Sequence, residues 1–265
     1  MVIELKQRAL IKVHGNDAIS FLQSQFTNDI TCIHHNKIQI NAYCQHQGKI
    51  MAILWVFVKD DNFYLSFPED LKDLVLSKLN MFKLMSNVEF EDISCEVNQY
   101  GLIDERYEAS FNIKNNLSLV MTREKLDTKG SKQQWEKACI DNNLPEIYRV
   151  TSEQYTPQAL NLDIDEIGVS FTKGCYPGQE VVARMHYLGK PKRRLFHFFS
   201  KCEANIGDLI NVKNSKSLKS SGIVLRVAKI DESYHSLGIF EIQHINEPAN
   251  LNNDVNRPLT IINAK

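Results

Sequence analysis

Apolar positions recur along this chain in two periods. Ala9-Leu10-Ile11-Lys12-Val13 is strand-like, and Gly15-Asn16 offers a turn and a helix cap. Ile19, Leu22 and Phe26 then fall on one face of a helix. Residues 38–44 and 49–58 read as strands paired around the Gln47-Gly48 turn, with Met51 to Val58 as a buried strand. Asp60-Asp61-Asn62 turns the chain into a further strand, Phe63-Tyr64-Leu65-Ser66-Phe67. After Pro68, the residues Leu71, Leu74, Val75 and Leu79 form the stripe of a second helix, and strands are predicted at 86–92, 95–103 and 117–122. Ser131-x-x-Gln134 has the spacing of a capping box and opens a third helix, with Trp135, Ala138 and Cys139 on one side. Strand–helix alternation with hairpins predicts α+β layers rather than a doubly wound sheet.

The pattern changes near Gly189-Lys190-Pro191. Beyond it come short strands at Leu195–Ser200, Leu209–Val212, Gly222–Ile230, Ser236–Ile242 and Leu259–Ile262, separated by turn residues such as Asn205, Gly207, Asp208, Asn214 and Asp231. Short strands at this spacing predict a small closed or half-closed β-barrel. The chain is therefore read as an α+β region over 1–190, in two subdomains, and a C-terminal barrel over 191–265.

Composition narrows the function classes. A chain of 265 residues can bury an ample core, and Lys plus Arg (31) nearly balance Asp plus Glu (32), so no global field draws nucleic acid or membrane. Cys32, Cys44, Cys95, Cys139, Cys175 and Cys202 are widely spaced, and without a C-x-x-C pair neither a structural zinc site nor a resident cluster is expected. Met1-Val2-Ile3-Glu4-Leu5-Lys6 lacks a basic segment followed by an apolar run, and the longest apolar run is too short to span a bilayer. These features predict a cytoplasmic protein without disulfides, metal or membrane contact.

The most specific chemistry lies in Lys173-Gly174-Cys175-Tyr176-Pro177-Gly178-Gln179-Glu180. Two glycines and a proline fix a short loop, and good helix formers follow from Gln179 to Met185. The loop is expected at a helix N-terminus, with Pro177 or Gly178 at its start. Backbone N–H groups there, together with the Lys173 ammonium, would favour a Cys175 thiolate. The spacing alone leaves open a second reading, in which Cys175 is a small buried residue in a strand-to-helix turn. Arg184, Lys190, Lys192, Arg193 and Arg194, with His186 and Tyr187 between them, form a basic cluster that can meet phosphates or serve as a solvated hinge.

The Lys173-Gly174-Cys175-Tyr176-x-Gly178-Gln179-Glu180 loop, followed by Ala183-Arg184, resembles the hallmark of the YgfZ family. These are folate-binding proteins related to the glycine-cleavage T-protein and linked to iron–sulfur enzymes and tRNA thiolation. Three further segments match the family in order: Gly15-x-Asp17-Ala18 through Thr27-Asn28-Asp29, Gln47-Gly48-Lys49, and Pro157-Gln158-Ala159-x-Asn161-Leu162. The resemblance implies a T-protein-like folate-binding body with a C-terminal barrel, and tetrahydrofolate or a derivative as cofactor. It also implies iron–sulfur enzymes or assembly factors as partners.

Carried onto these residues, the resemblance gives Cys175 the reactive role and Lys173 that of its activator. Gln179 and Glu180 fix the loop, or Glu180 shuttles a proton. Trp135 matches a family tryptophan that contacts folate, although its place on an apolar helix face equally suits ordinary core. Arg8 stands where a second contact aromatic is expected, and it can stack on a flat ring or pair with a glutamate tail. Asn28 and Asp29 can bond the pterin edge or simply stop the first helix. Two alternatives remain. A tetrahydrofolate-dependent aminomethyltransferase would need an aspartate after the glycine hairpin, where Ala52 and Ile53 stand. A tRNA-binding modification factor would use Arg193 and Arg194.

Overall fold

The computed structural model describes residues 1–212 and 220–263; Asn214, read as a turn residue, lies outside them. The strands in chain order are β1 (Val2–Glu4), β2 (Arg8–His14), β3 (Gln39–Cys44), β4 (Ile50–Lys59), β5 (Asn62–Pro68), β6 (Glu89–Asp92), β7 (Asn98–Ile103), β8 (Phe111–Lys114), β9 (Leu117–Thr122), β10 (Arg193–Ser200), β11 (Leu209–Val212), β12 (Gly222–Ile230), β13 (Ser233–Glu241), β14 (Ala249–Leu251) and β15 (Pro258–Asn263). The α-helices are α1 (Ala18–Gln25), α2 (Lys72–Lys83), α3 (Lys132–Asp141) and α4 (Gln179–Leu188). The class is α+β. The strands form a five-stranded sheet in the order β3-β4-β5-β2-β6, a four-stranded sheet in the order β1-β7-β9-β8, and a closed barrel β10-β13-β12-β11-β14-β15.

Local chemistry explains most of the elements. The capping box at α3 forms: Gln134 N–H donates to Ser131 Oγ at 3.3 Å, and Ser131 N–H donates to Gln134 Oε1 at 2.8 Å. The buried face of α1 is Ala18, Phe21, Leu22 and Gln25, not the expected Ile19–Leu22–Phe26 row. Ile19 is 52 % exposed, because Phe21 takes the inward position against Phe90. Phe26 lies past the helix end in extended backbone and bridges to Tyr43. Residues 86–88 are not strand. Asn87 instead grips the start of α1, its N–H donating to Asp17 Oδ2 at 2.7 Å and its carbonyl accepting from Asp17 N–H at 3.1 Å.

The barrel alternates its side chains as closure requires. Phe196, Phe198, Val224 and Phe240 fill its interior, whereas Leu195, Ile223, Leu225, Leu237 and Ile239 join the core of the body. The barrel is thereby welded to the body through β12 and α3. No helix among the described residues is long and apolar enough to cross a membrane.

Candidate functional site

The cysteine loop is built on glycine–glycine contact. Gly178 precedes α4 with φ +82°, and a Cβ there would come 2.5 Å from the Gln45 carbonyl oxygen and 2.6 Å from Gly48 Cα. Gly48, at φ +70°, closes the β3–β4 hairpin by donating to Gln45 O at 2.8 Å. Both positions thus demand glycine, one for conformation and one also for closeness. Gln158, buried in the turn Pro157–Leu160, holds the other flank by donating from Nε2 to Val182 O at 2.7 Å. These contacts place the first turn of α4 beside the hairpin, and no side chain caps it. Gln179 N–H donates to Tyr176 O at 3.1 Å, which leaves the N–H groups of Glu180 and Val181 without a partner among the described residues.

Within the loop, buried Lys173 and Tyr176 anchor an exposed tip, Gly174-Cys175. No heavy atom lies within 4 Å of where a Gly174 Cβ would stand. The structure gives Lys173 a task other than the expected activation of Cys175. Its ammonium donates to Gln23 O at 2.7 Å, Phe26 O at 2.5 Å and Asn28 O at 2.9 Å, closing the C-terminal end of α1. Burial lowers its pKa to about 8, and Asp29 opposes the shift. Gln179 braces the tip, Nε2 to Gly174 O at 3.4 Å. Glu180 is exposed in the first turn of α4 and makes no hydrogen bond or ion pair among the described residues.

Asn28 and Asp29 join the Lys173 cluster and do not line the cavity that holds Trp135. Asn28 donates from Nδ2 to Ile40 O at 3.0 Å and from its backbone N–H to Asn41 Oδ1 at 3.0 Å. Asp29 accepts from Thr31 Oγ1 at 2.6 Å, from Thr31 N–H at 3.0 Å and from Gln23 Nε2 at 3.1 Å. The bonds from Thr31, chiefly, hold its pKa below the usual carboxylate range. Asp29 caps the short turn Ile30–Cys32, and Asn28 ties that turn to β3.

Trp135 and Arg8 do meet, in a cavity of about 230 Å³ between body and barrel that Glu136, Tyr148 and Arg226 also line. Trp135 lies over Gly101, where a Cβ would stand 2.5 Å from its ring, and meets Trp55 edge-on at 6.3 Å. The Arg8 guanidinium stacks on Trp55 at 3.8 Å and donates to Glu146 Oε2 at 2.5 Å and to Ser66 Oγ at 2.9 Å. Arg226, which sequence reasoning passed over, reaches from β12 to Glu136 at 2.5 Å, Glu146 at 3.2 Å and Leu144 O at 2.8 Å. Glu146 is fully buried, and its Oε1 has no partner among the described residues. A buried Arg–Glu–Arg–Glu chain drawn from β2, β12, α3 and the segment after α3 leaves no periodic signal, so only the charge of residues in otherwise apolar surroundings could have marked it.

The basic cluster is partly neutralised. Arg193 pairs across β10–β13 with Glu241 at 2.7 Å, and Arg194 pairs with Asp163 at 2.5 Å. Arg184, Lys190 and Lys192 stay exposed. Ala52 and Ile53, on β4 after the hairpin, are fully buried, so that strand offers no carboxylate there.

No protein-family model matches the chain. A Haemophilus influenzae protein of uncharacterized function is 31 % identical over 261 residues, covering 96 % of this chain and 89 % of its own length. The tRNA-modifying protein YgfZ of Vibrio atlanticus is 26 % identical over 292 residues, covering 98 % of this chain and 88 % of its own. That of Blochmanniella pennsylvanica is 27 % identical over 296 residues, with 94 % and 89 % covered. The chain belongs to the YgfZ family. Its fold is shared beyond that family. The glycine cleavage system aminomethyltransferase T of Bartonella henselae superposes with a TM-score of 0.65 at 10 % identity, covering 99 % of this chain and 84 % of that one. The Lys173–Glu180 loop is therefore carried on a T-protein-like fold.

Proposed function

We propose that this YgfZ-family chain is a folate-binding accessory protein that supports assembly or repair of iron–sulfur enzymes, with Cys175 as its reactive group. The observation that carries the reading is the exposed Cys175 tip. It is held by buried Lys173 and Tyr176 ahead of an uncapped helix N-terminus. Such a loop maintains an accessible thiol in fixed position without burying it.

The Arg8–Trp135 cavity supports folate as the ligand. A pterin is flat and has both donors and acceptors on its edges. Trp135 and Tyr148 supply aromatic walls, and Glu136 and Arg226 supply polar partners. The cavity suits the ring system. It adjoins a cleft of about 570 Å³ that shares Gln7, Lys132, Glu136 and Tyr148 and gives a tail room to leave. Bound folate would supply one-carbon chemistry, while the chain's own residues bind and orient it. The buried Ala52 and Ile53 speak against aminomethyl transfer, because nothing there can accept a proton from an amine.

The Vibrio and Blochmanniella relatives are named tRNA-modifying proteins, and for this chain we take the link to tRNA to run through iron–sulfur enzymes. Arg193 and Arg194 are already paired with carboxylates, which leaves a small cationic footprint for direct contact. Titration with tetrahydrofolate, followed by tryptophan fluorescence and then by an aminomethyl-transfer assay, tests the reading. Saturable binding without transfer is expected, and Trp135→Ala should remove most of the affinity. Transfer activity, or a folded Trp135→Ala protein that binds normally, would overturn it.

A further inference from the structure

A second cavity, of about 490 Å³, opens where β3, β8, the turn after α3 and the segment 160–167 converge. Its volume falls in the range of small-molecule sites. Ile40, Leu160, Leu162 and Leu195 form an apolar floor, and Ile164 leaves 45 % of its surface exposed at the rim. Against this floor stands one half-buried cation, Lys114. It ends the edge strand β8 just after a register shift between Asn112 and Lys114, and such bulges re-aim side chains. Lys114 makes no hydrogen bond or ion pair among the described residues; burial lowers its pKa, and Asp165 partly opposes that. A half-buried ammonium without a partner is a group that an anion would stabilise.

We propose that this cavity is a second ligand site, which takes a small organic monocarboxylate with an apolar body, the carboxylate on Lys114 and the body on the Ile40–Leu160–Leu195 floor. The charge count sets the class. A single ammonium with no arginine fork beside it matches at most one carboxylate, and Asp165, which lines the same cavity, opposes any larger negative charge such as phosphate. The apolar floor selects against small hydrated acids. Neither cavity borders the other's named residues, so the site stands apart from the Arg8–Trp135 pocket.

Calorimetric titration of the full chain with sodium octanoate, a stand-in of this class, tests the proposal. Saturable one-site binding is expected. Lys114→Met keeps the apolar stem, should leave the melting temperature unchanged, and should weaken octanoate about tenfold, the worth of a charge-assisted contact. Lys37→Met should leave the affinity unchanged, because Lys37 borders only an adjoining groove. Octan-1-ol should bind about tenfold more weakly than octanoate, and tetrahydrofolate should not displace octanoate. Absence of saturable binding would overturn the proposal. So would equal affinity in Lys114→Met, an equal loss in Lys37→Met, or octanol binding as tightly as octanoate. Displacement by tetrahydrofolate would merge this cavity with the folate pocket and likewise overturn a second site, without touching the folate reading itself.

Discussion

Lys173→Met separates a strut from an electrostatic activator. The side chain is 8 % exposed and its ammonium donates to three carbonyls, those of Gln23, Phe26 and Asn28. Methionine fills the stem volume but leaves these acceptors bare at the end of α1. Each buried acceptor without a partner costs about 1–3 kcal/mol, so the gross loss is roughly 3–9 kcal/mol. The substitution also removes a buried charge. Its pKa falls from 10.5 to about 8 through burial, a penalty of about 3 kcal/mol in the charged form. The difference leaves a net destabilisation of about 3 kcal/mol. At roughly 2–4 °C per kcal/mol, the melting temperature should fall by roughly 6–12 °C. Linkage adds a signature. Between pH 8 and 10.5 the unfolded chain holds the proton that folded Lys173 has released, so stability from this group rises with pH in that window. Urea titrations of both proteins across that window should show the rise in the parent and its absence in the variant. A loss under about 0.5 kcal/mol with a collapse of Cys175 alkylation would refute the strut and restore the activator.

Gly178→Ala should cost at least about 2 kcal/mol, because its Cβ meets Gln45 O at 2.5 Å at a positive φ; urea melts check this, and alkylation should show Cys175 displaced. Arg226→Met leaves buried Glu136 without its cation, while Glu146 keeps only Arg8, and should destabilise by about 3–5 kcal/mol; a melt within about 1 kcal/mol of the parent would contradict the network. Burial, with help from His235, lowers the His197 pKa to about 4 from 6.5. As pH falls from 6.5 to 4 the unfolded chain takes up the proton first, so stability should drop by up to about 3 kcal/mol, and His197→Gln should flatten that part of the urea profile.

What the sequence revealed follows the range of its signals. The capping box at Ser131, the hairpin at Gly48 and the helix beginning after Gly178 rest on neighbours in the chain, and each formed as expected. The joining of Trp135 with Arg8 also emerged, through a resemblance rather than a periodicity. Contacts between distant segments were less legible. Lys173 stands two residues from Cys175, so proximity suggested activation, yet its hydrogen-bond partners lie about 150 residues earlier, at and just past the end of α1. Arg193 reads as a free cation until the barrel register sets it opposite Glu241. Ile19 fits a helical stripe, but tertiary packing chose Phe21 instead. The short strands β1, β8 and β14 carry too few residues for an alternation to show.

Complementation most directly tests the claim that this chain supports iron–sulfur enzymes through Cys175. A strain lacking the protein is supplied with the parent chain or with Cys175→Ala, and a cluster-dependent enzyme is assayed under oxidative stress. The exposed tip makes the substitution structurally silent, since Cys175 has no buried contact to lose. The parent should restore the enzyme activity and Cys175→Ala should leave it at the level of the deletion, with both proteins equally abundant. Full rescue by Cys175→Ala would contradict the account.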